Sequence, residues 1–185
     1  MNKEVLDRYH KACNTPSDIN ELLPYLRAVA DKCDHITEFG VRQPTSTWAF
    51  LAGEPDKLIS YDIIRSPLVD EVEQLATPGM FEFIEGSTLE IKIGPTDFLF
   101  IDTYHTALQC AEELRLHSTK VRKYIGFHDT HTYWEIAEQP YEGIDPKWND
   151  GLGLGYAIEP FIKAGGWKID FTTNQNNGLT ILKRV

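Results

Sequence analysis

The feature that most constrains this chain is a series of short β-prone runs alternating with helical stretches between residues 35 and 184. The strand-like runs are 35–39 (HITEF), 57–64 (KLISYDII), 81–85 (FEFIE), 97–102 (DFLFID) and 121–127 (VRKYIGF), with a closing pair at 167–172 and 179–184. Helical patterns fall at 45–52, 67–76, 105–117 and 153–164. Strands that alternate with helices imply a parallel sheet covered on both faces. The apolar run DFLFI fits a central strand buried on both sides. Ahead of these, 2–13 and 18–32 read as helices. In the second, Ile19, Leu22, Leu23, Leu26, Ala28 and Val29 recur near helical spacing, with Ser17-Asp18 as a candidate cap.

A covered sheet needs a core, and 185 residues with 42% apolar side chains supply one without metal or disulfide staples. The length predicts a single domain, with helices over 1–33 and the α/β core over 34–185. The formal charge of −10 argues against nucleic-acid partners and against anionic membrane surfaces. No apolar run approaches the ~20 residues of a membrane helix. The first eighteen residues contain no apolar segment of the kind that secretion signals carry. Cys13, Cys33 and Cys110 are odd in number and far apart, which reads as reduced, cytoplasmic thiols used in packing. The N-terminal helical pair is a candidate surface for a homo-oligomer.

In open α/β sheets ligands bind outside the carboxyl ends of the strands, so the residues that follow each strand matter most. After the first comes Glu38-Phe39-Gly40, where a glycine permits a tight turn and close approach of a ligand; a plain turn with Thr45 as helix cap fits the same letters. Asp62 ends the second strand, 24 residues after Glu38, where a carboxylate can accept both hydroxyls of a ribose or simply close a turn. Ser87, in the small turn after the third strand, fits a purine contact or a turn alone.

The fourth and fifth strands end in Asp102-Thr103-Tyr104-His105 and His128-Asp129-Thr130-His131. As neighbours they bring Asp102 and Asp129 to one sheet edge, where two carboxylates raise each other's pKa unless a cation lies between them. A hard cation such as Mg²⁺ takes such oxygen ligands. His105, about one helical turn past Asp102, overlooks that position and is suited to proton transfer. Taken singly, Asp102 also reads as a cap for the helix at 105, and Asp129 as a turn residue. The long segment 131–153 carries Tyr133, Trp134, Tyr141 and Trp148, either covering a substrate or packing the loop onto the sheet.

Together EFGVRQPTSTWAFLA, LISYDI, TDFLFIDTYHTALQCAEEL, KYIGFHDT and GGWKIDFTTNQNNGLTILKR resemble class I S-adenosylmethionine-dependent methyltransferases. Within that class they are similar to the small metal-dependent O-methyltransferases, including macrolide-sugar O-methyltransferases and cephalosporin-hydroxylase-like enzymes. The resemblance spans roughly 34–185. It implies a Rossmann-like three-layer α/β sandwich, with a seven-stranded, mostly parallel sheet and an antiparallel last strand. It implies S-adenosylmethionine as cofactor, with Glu38 and Gly40 facing its methionine part, Asp62 its ribose and Ser87 its adenine, and with Asp102 as a further cofactor-binding residue. It further implies Asp102 and Asp129 as ligands of a divalent metal beside the cofactor pocket, Mg²⁺ first, and His105 as general base. The acceptor would be a hydroxyl of a small molecule or glycan. Two departures stand out: Gln43-Pro44 where relatives often carry glycines, and His128 where they often carry an acid. Imidazole suits Zn, Fe or Ni, so His128 joins the candidate ligands. Two other functions fit the residues: an iron-dependent oxygenase using His128, His131 and one of the aspartates, and a cofactor-binding protein without activity.

Overall fold

Strand β4 (Thr96–Ile101) is buried at every position, as a strand with cover on both faces must be. The computed structural model to which it belongs describes residues 2–141 and 143–185. β4 lies between β1 (His35–Phe39) and β5 (Val121–His128). Beyond β1 come β2 (Lys57–Asp62) and then β3 (Phe81–Glu85); beyond β5 come β7 (Leu179–Arg184) and then β6 (Trp167–Thr173). β1 to β5 pair in parallel, and β7 runs antiparallel to both β5 and β6. This is the seven-stranded sheet with an antiparallel last strand that the resemblance implies.

Successive residues on a strand point to opposite faces, and here they feed two separate cores. On one face Ile36, Phe98, Phe100, Tyr124 and Ile181 pack with side chains of α1 (Lys3–Asn14), α2 (Leu23–Ala30) and α3 (Thr45–Ala52). On the other Phe39, Leu99, Ile101, Ile125, Phe127 and Leu182 pack with α5 (Ala107–His117) and α6 (Gly155–Lys163). The remaining helix, α4 (Val69–Leu75), joins β2 to β3 and sends Val72 into the first core. Val5 and Tyr9 of α1 belong to that core as well, so the N-terminal helices are built into the sandwich. Each fully buried aromatic or aliphatic side chain contributes about 1.5–3 kcal/mol.

Several boundaries differ from the sequence pattern, each for a local reason. The stretch 18–32 forms a single 3-10 turn at Asn20–Leu22 and then α2, whose first turn holds Pro24, where a missing N–H costs nothing. Ala28 is exposed and Ala30 takes its place in the core. β2 stops at Asp62, leaving Ile63 and Ile64 exposed. α5 starts two residues late, capped by Thr106, whose Oγ1 accepts from Gln109 N at 3.2 Å. Asp102 is therefore not the cap of α5. Thr45 lies inside α3 and caps nothing, because Pro44 takes the preceding position.

Since the chain leaves β1 for β2 on one side and returns to β4 on the other, the sheet has its topological switch point between β1 and β4. That is where an α/β sheet opens a crevice. No helix among the described residues is long and apolar enough to cross a membrane.

Candidate active site

Gly40 follows β1 with φ +83°, and a Cβ built on it would lie 1.9 Å from the carbonyl oxygen of Asp102. Both the left-handed backbone and the contact demand glycine. Gly40 N donates to Tyr61 O at 2.9 Å and Asp102 N donates to Phe39 O at 2.8 Å. These bonds fix the end of β1 between β2 and β4, so the glycine turn and the first acid of the β4 end move as one piece.

Glu38 does not reach the crevice. It lies on the α3 face of β1, fully buried, and its carboxylate accepts from Ser46 Oγ (2.6 Å), Thr47 Oγ1 (2.8 Å) and Ser60 Oγ (2.5 Å). Burial raises its pKa to about 7 against the pull of the three hydroxyls. Asp62 is half-buried and spends most of its acceptor capacity on backbone: Oδ2 takes the amides of Val41 (2.7 Å) and Arg42 (2.9 Å), and Oδ1 that of Ile64 (3.1 Å). Ser87 opens the turn after β3, where its carbonyl accepts from the amides of Glu90 and Ile91.

The ends of β4 and β5 bring Asp102, His105, His128 and Asp129 together. His128 Nδ1 lies 3.2 Å from Asp102 Oδ1 and 3.6 Å from Asp129 Oδ1. His105 Nε2 lies 3.2 Å from Asp102 Oδ1 and 3.4 Å from Asp129 Oδ2. Asp129 has φ +58°, which turns its side chain back toward the β4 end. Burial alone would lower both imidazole pKa values, but the facing carboxylates raise His105 to about 10 and His128 to about 9. The aspartates respond in opposite directions. Burial opposes ionisation of Asp102, yet two imidazoles bonded to it hold it well below the usual carboxylate range. For Asp129 burial prevails and its pKa rises.

This donor set fits a divalent cation. Asp129 Oδ1 is buried and accepts no hydrogen bond, so one oxygen is desolvated with no hydrogen bond in return. One ligand atom from each of Asp102, His128 and Asp129 can be chosen so that all lie within 4.8 Å of one another. His131 stands outside this set. It is exposed, and its amide is bonded to Asn177 O at 2.7 Å. The two-histidine set of His128 and His131 is therefore not formed.

Comparison with known proteins agrees with this architecture. No sequence-family profile matches the chain, and no curated protein matches it by sequence. Solved structures do. A Bacillus cereus O-methyltransferase in complex with S-adenosylhomocysteine is 16% identical, covers 99% of this chain and 90% of its own, and has a TM-score of 0.68. A Streptomyces achromogenes O-methyltransferase of tomaymycin synthesis, solved with S-adenosylmethionine, is 14% identical over 96% of this chain and 89% of its own, with a TM-score of 0.67. A Podospora anserina methyltransferase bound to S-adenosylhomocysteine is 14% identical over 98% and 87%, with a TM-score of 0.66. The chain has the fold of class I methyltransferases.

Within that fold, three contributors to the site carry no sequence motif. Glu138, from the long loop, accepts from His105 Nδ1 (2.9 Å) and from His105 N (3.3 Å) on one oxygen. Its own amide donates to His105 O at 3.0 Å. The carbonyls of Asp18 and Asn176 meet His128 Nε2 at 3.1 and 3.0 Å. Of the loop aromatics, Tyr133 stacks on His105 (5.1 Å, 10°), Tyr141 packs edge-on to Tyr104, and Trp134 packs into the second core. Beside them lies an open cleft of about 570 Å³, lined by Tyr133, Ile136, Glu138 and Tyr141 among others. That volume is in the range of small-molecule sites.

Proposed function

We propose that this protein is an S-adenosylmethionine-dependent O-methyltransferase, assisted by a divalent cation, acting on a hydroxyl of a small molecule or glycan. The observation that carries the reading is the convergence of Asp102, His105, His128 and Asp129 beside the Gly40 turn. That convergence lies at the switch point of a fold whose neighbours have been solved with this cofactor or its demethylated product. The three free cysteines support a cytoplasmic location, and the joint packing of α1 to α3 with the sheet supports one domain over 1–185.

In this reading the crevice outside β1 and β4 would hold the cofactor, whose sulfonium would supply the electrophilic methyl group. Asp62 accepts from the ribose with the capacity left on Oδ1, Gly40 lets the backbone approach, and Ser87 lies toward the adenine. Glu38 holds the turn from behind without touching the ligand. Asp102, Asp129 and His128 would hold the cation, which would supply Lewis-acid polarisation of the acceptor oxygen and offset the carboxylate charge that keeps His105 protonated. Glu138 fixes His105 through Nδ1, which leaves Nε2 to take the acceptor's proton. Tyr133 and the open cleft along the loop position the acceptor.

Two measurements test this. Calorimetric titration with S-adenosylhomocysteine should give one site per chain, weakened by Asp62→Ala. Transfer of a labelled methyl group to a panel of hydroxylated acceptors should be lost in His105→Ala and in chelator. A wild-type protein that does not bind S-adenosylhomocysteine would end the proposal. Binding without transfer to any acceptor would leave a cofactor-binding protein, and transfer unchanged in His105→Ala would remove that residue from its role.

A further inference from the structure

We infer that the site at the ends of β4 and β5 selects a divalent transition-metal ion over Mg²⁺, with His128 Nδ1 as the ligand that makes the selection. The inference deepens the reading above and rests on its cation-assisted part.

It begins with the other nitrogen of the ring. The contacts of His128 Nε2 are the carbonyl oxygens of Asp18 (3.1 Å) and Asn176 (3.0 Å). A carbonyl only accepts, so Nε2 carries the hydrogen. Nδ1 carries the ring's other hydrogen toward the carboxylates, and a cation that displaced it would meet the Nδ1 lone pair beside Asp102 Oδ1 and Asp129 Oδ1. The second of these is the buried oxygen that accepts no hydrogen bond. A ligating imidazole whose remote N–H is tied to a backbone carbonyl is a recurring arrangement in metal sites, because the tie fixes both tautomer and ring orientation.

The ring has no freedom to serve anything else. His128 is 2% exposed. Both carbonyls belong to braced segments. Asn176 Oδ1 accepts from Glu21 N at 2.6 Å, its Nδ2 donates to Ser17 O at 3.4 Å, and Asp18 pairs with Arg42 at 2.5 Å. Asn176 and Asn177 adopt positive φ (41° and 67°), and Asn177 O accepts from the amides of His131 (2.7 Å) and Thr132 (3.0 Å). One turn between β6 and β7 thus holds both the His128 ring and the backbone just after Asp129. The facing groups on the other side are His105, through Nε2, and Glu138 behind it.

Mg²⁺ prefers oxygen ligands and gives up its waters reluctantly, so it gains little from a pinned imidazole nitrogen. The later first-row divalent ions gain from that donor, and two carboxylates balance their charge. The expectation of Mg²⁺ from the paired aspartates takes no account of this nitrogen.

The test uses the whole 185-residue chain without a tag, stripped with EDTA and titrated calorimetrically with CoCl₂ and with MgCl₂. Co²⁺ should bind at one equivalent and more tightly than Mg²⁺ by roughly tenfold or more. His128→Asn should remove that advantage, and His131→Ala, at an exposed imidazole, should not. Should His128→Asn fail to fold, wild-type protein labelled with nitrogen-15 histidine gives the same answer. Zn²⁺ should then shift Nδ1 of one histidine whose Nε2 stays protonated. Equal affinity for Co²⁺ and Mg²⁺, Co²⁺ binding indifferent to His128→Asn, ligation through Nε2 alone, or no binding of either ion would overturn the inference. S-adenosylhomocysteine titrated into the same samples separates the two readings. If it binds and the metal preference is absent, the metal inference alone fails. If it does not bind and the preference is present, the methyltransferase reading fails and the metal site stands.

Discussion

Replacing Gly40 with alanine tests whether the glycine turn and the acidic site are one mechanical unit. Two costs are expected, and a second glycine separates them. Gly40 and Gly79 have nearly the same backbone, φ +83° and +84°, but a Cβ on Gly79 meets nothing within 4 Å, whereas one on Gly40 falls 1.9 Å from Asp102 O. Gly79→Ala therefore pays only for left-handed backbone, about 1–2 kcal/mol. Gly40→Ala pays that and must also displace the main chain of Asp102 by more than 1 Å. The displacement strains two hydrogen bonds, Asp102 N to Phe39 O and Gly40 N to Tyr61 O, each worth about 1 kcal/mol. Gly40→Ala should thus lose about 3–4 kcal/mol in urea unfolding, roughly 2 more than Gly79→Ala. Because Asp102 carries the acid shared by both histidines, Co²⁺ binding should fall with Gly40→Ala and stay intact with Gly79→Ala. Equal stability losses in the two variants, or a folded Gly40→Ala protein with unaltered metal binding, would refute the coupling.

Other outcomes follow from the same geometry. Glu38 keeps its proton to about pH 7 in the folded chain and loses it near 4.5 when unfolded, so its share of stability is full below pH 4.5 and is lost as pH rises through 7. Relative to wild type, Glu38→Gln should gain about 3 kcal/mol between pH 4.5 and pH 8 in urea melts, and a pH-independent difference would contradict the assignment. Glu138→Ala should abolish methyl transfer while leaving S-adenosylhomocysteine affinity unchanged, since Glu138 touches His105 and no part of the Gly40 turn; calorimetry and turnover on one preparation decide it. Cys33 is buried with its thiol pushed up to about 12, and Cys110 is buried with its thiol raised well above the ordinary value. A thiol reagent at pH 8 should therefore modify at most one cysteine, the half-buried Cys13, until urea is added, and rapid reaction of two or three would contradict that burial.

What the letters reveal about this protein depends on whether a feature resides in side-chain type or in backbone placement. DFLFI identifies β4 because a doubly covered strand is near-continuously apolar; β4 is buried at each position, and its one charge, Asp97, is paired with Arg122 and Lys123. Asp102 and Asp129 are legible because neighbouring parallel strands necessarily end near each other. Asp18 O and Asn176 O are not, since every residue has a carbonyl and only the tertiary fold chooses these two. Glu138 is hidden for a related reason. Its place is set by the base of its loop, where Gly153 and Gly155 leave room for the backbone of Tyr133–Trp134 and the Trp134 ring. His131 misleads for the opposite reason. It follows His128 closely in sequence, but the left-handed Asp129 and the bond from its amide to Asn177 O leave the ring exposed.

The acids in and beside the strand ends, including Glu113 of α5, divide by the partners they are given. Glu38 is met by three hydroxyl-bearing side chains, and Glu113, whose pKa burial also raises to about 7, by Thr88, Thr103 and Gln109. A hydroxyl both donates and accepts, so such an acid stays satisfied whether or not it carries a proton, and burial is free to shift it toward the neutral form. That suits a post that ties turns together: Glu38 joins β1, β2 and α3, and Glu113 joins α5 to the segments after β3 and β4. Asp102 and Asp129 are instead faced by imidazoles, which balance charge only while protonated. Their charge is therefore transferable. A cation bound between them would take over the balancing role of the imidazole protons and give Asp129 Oδ1 the partner it lacks. Position along a strand does not distinguish the two kinds of acid, and the chemistry of the neighbouring side chains does.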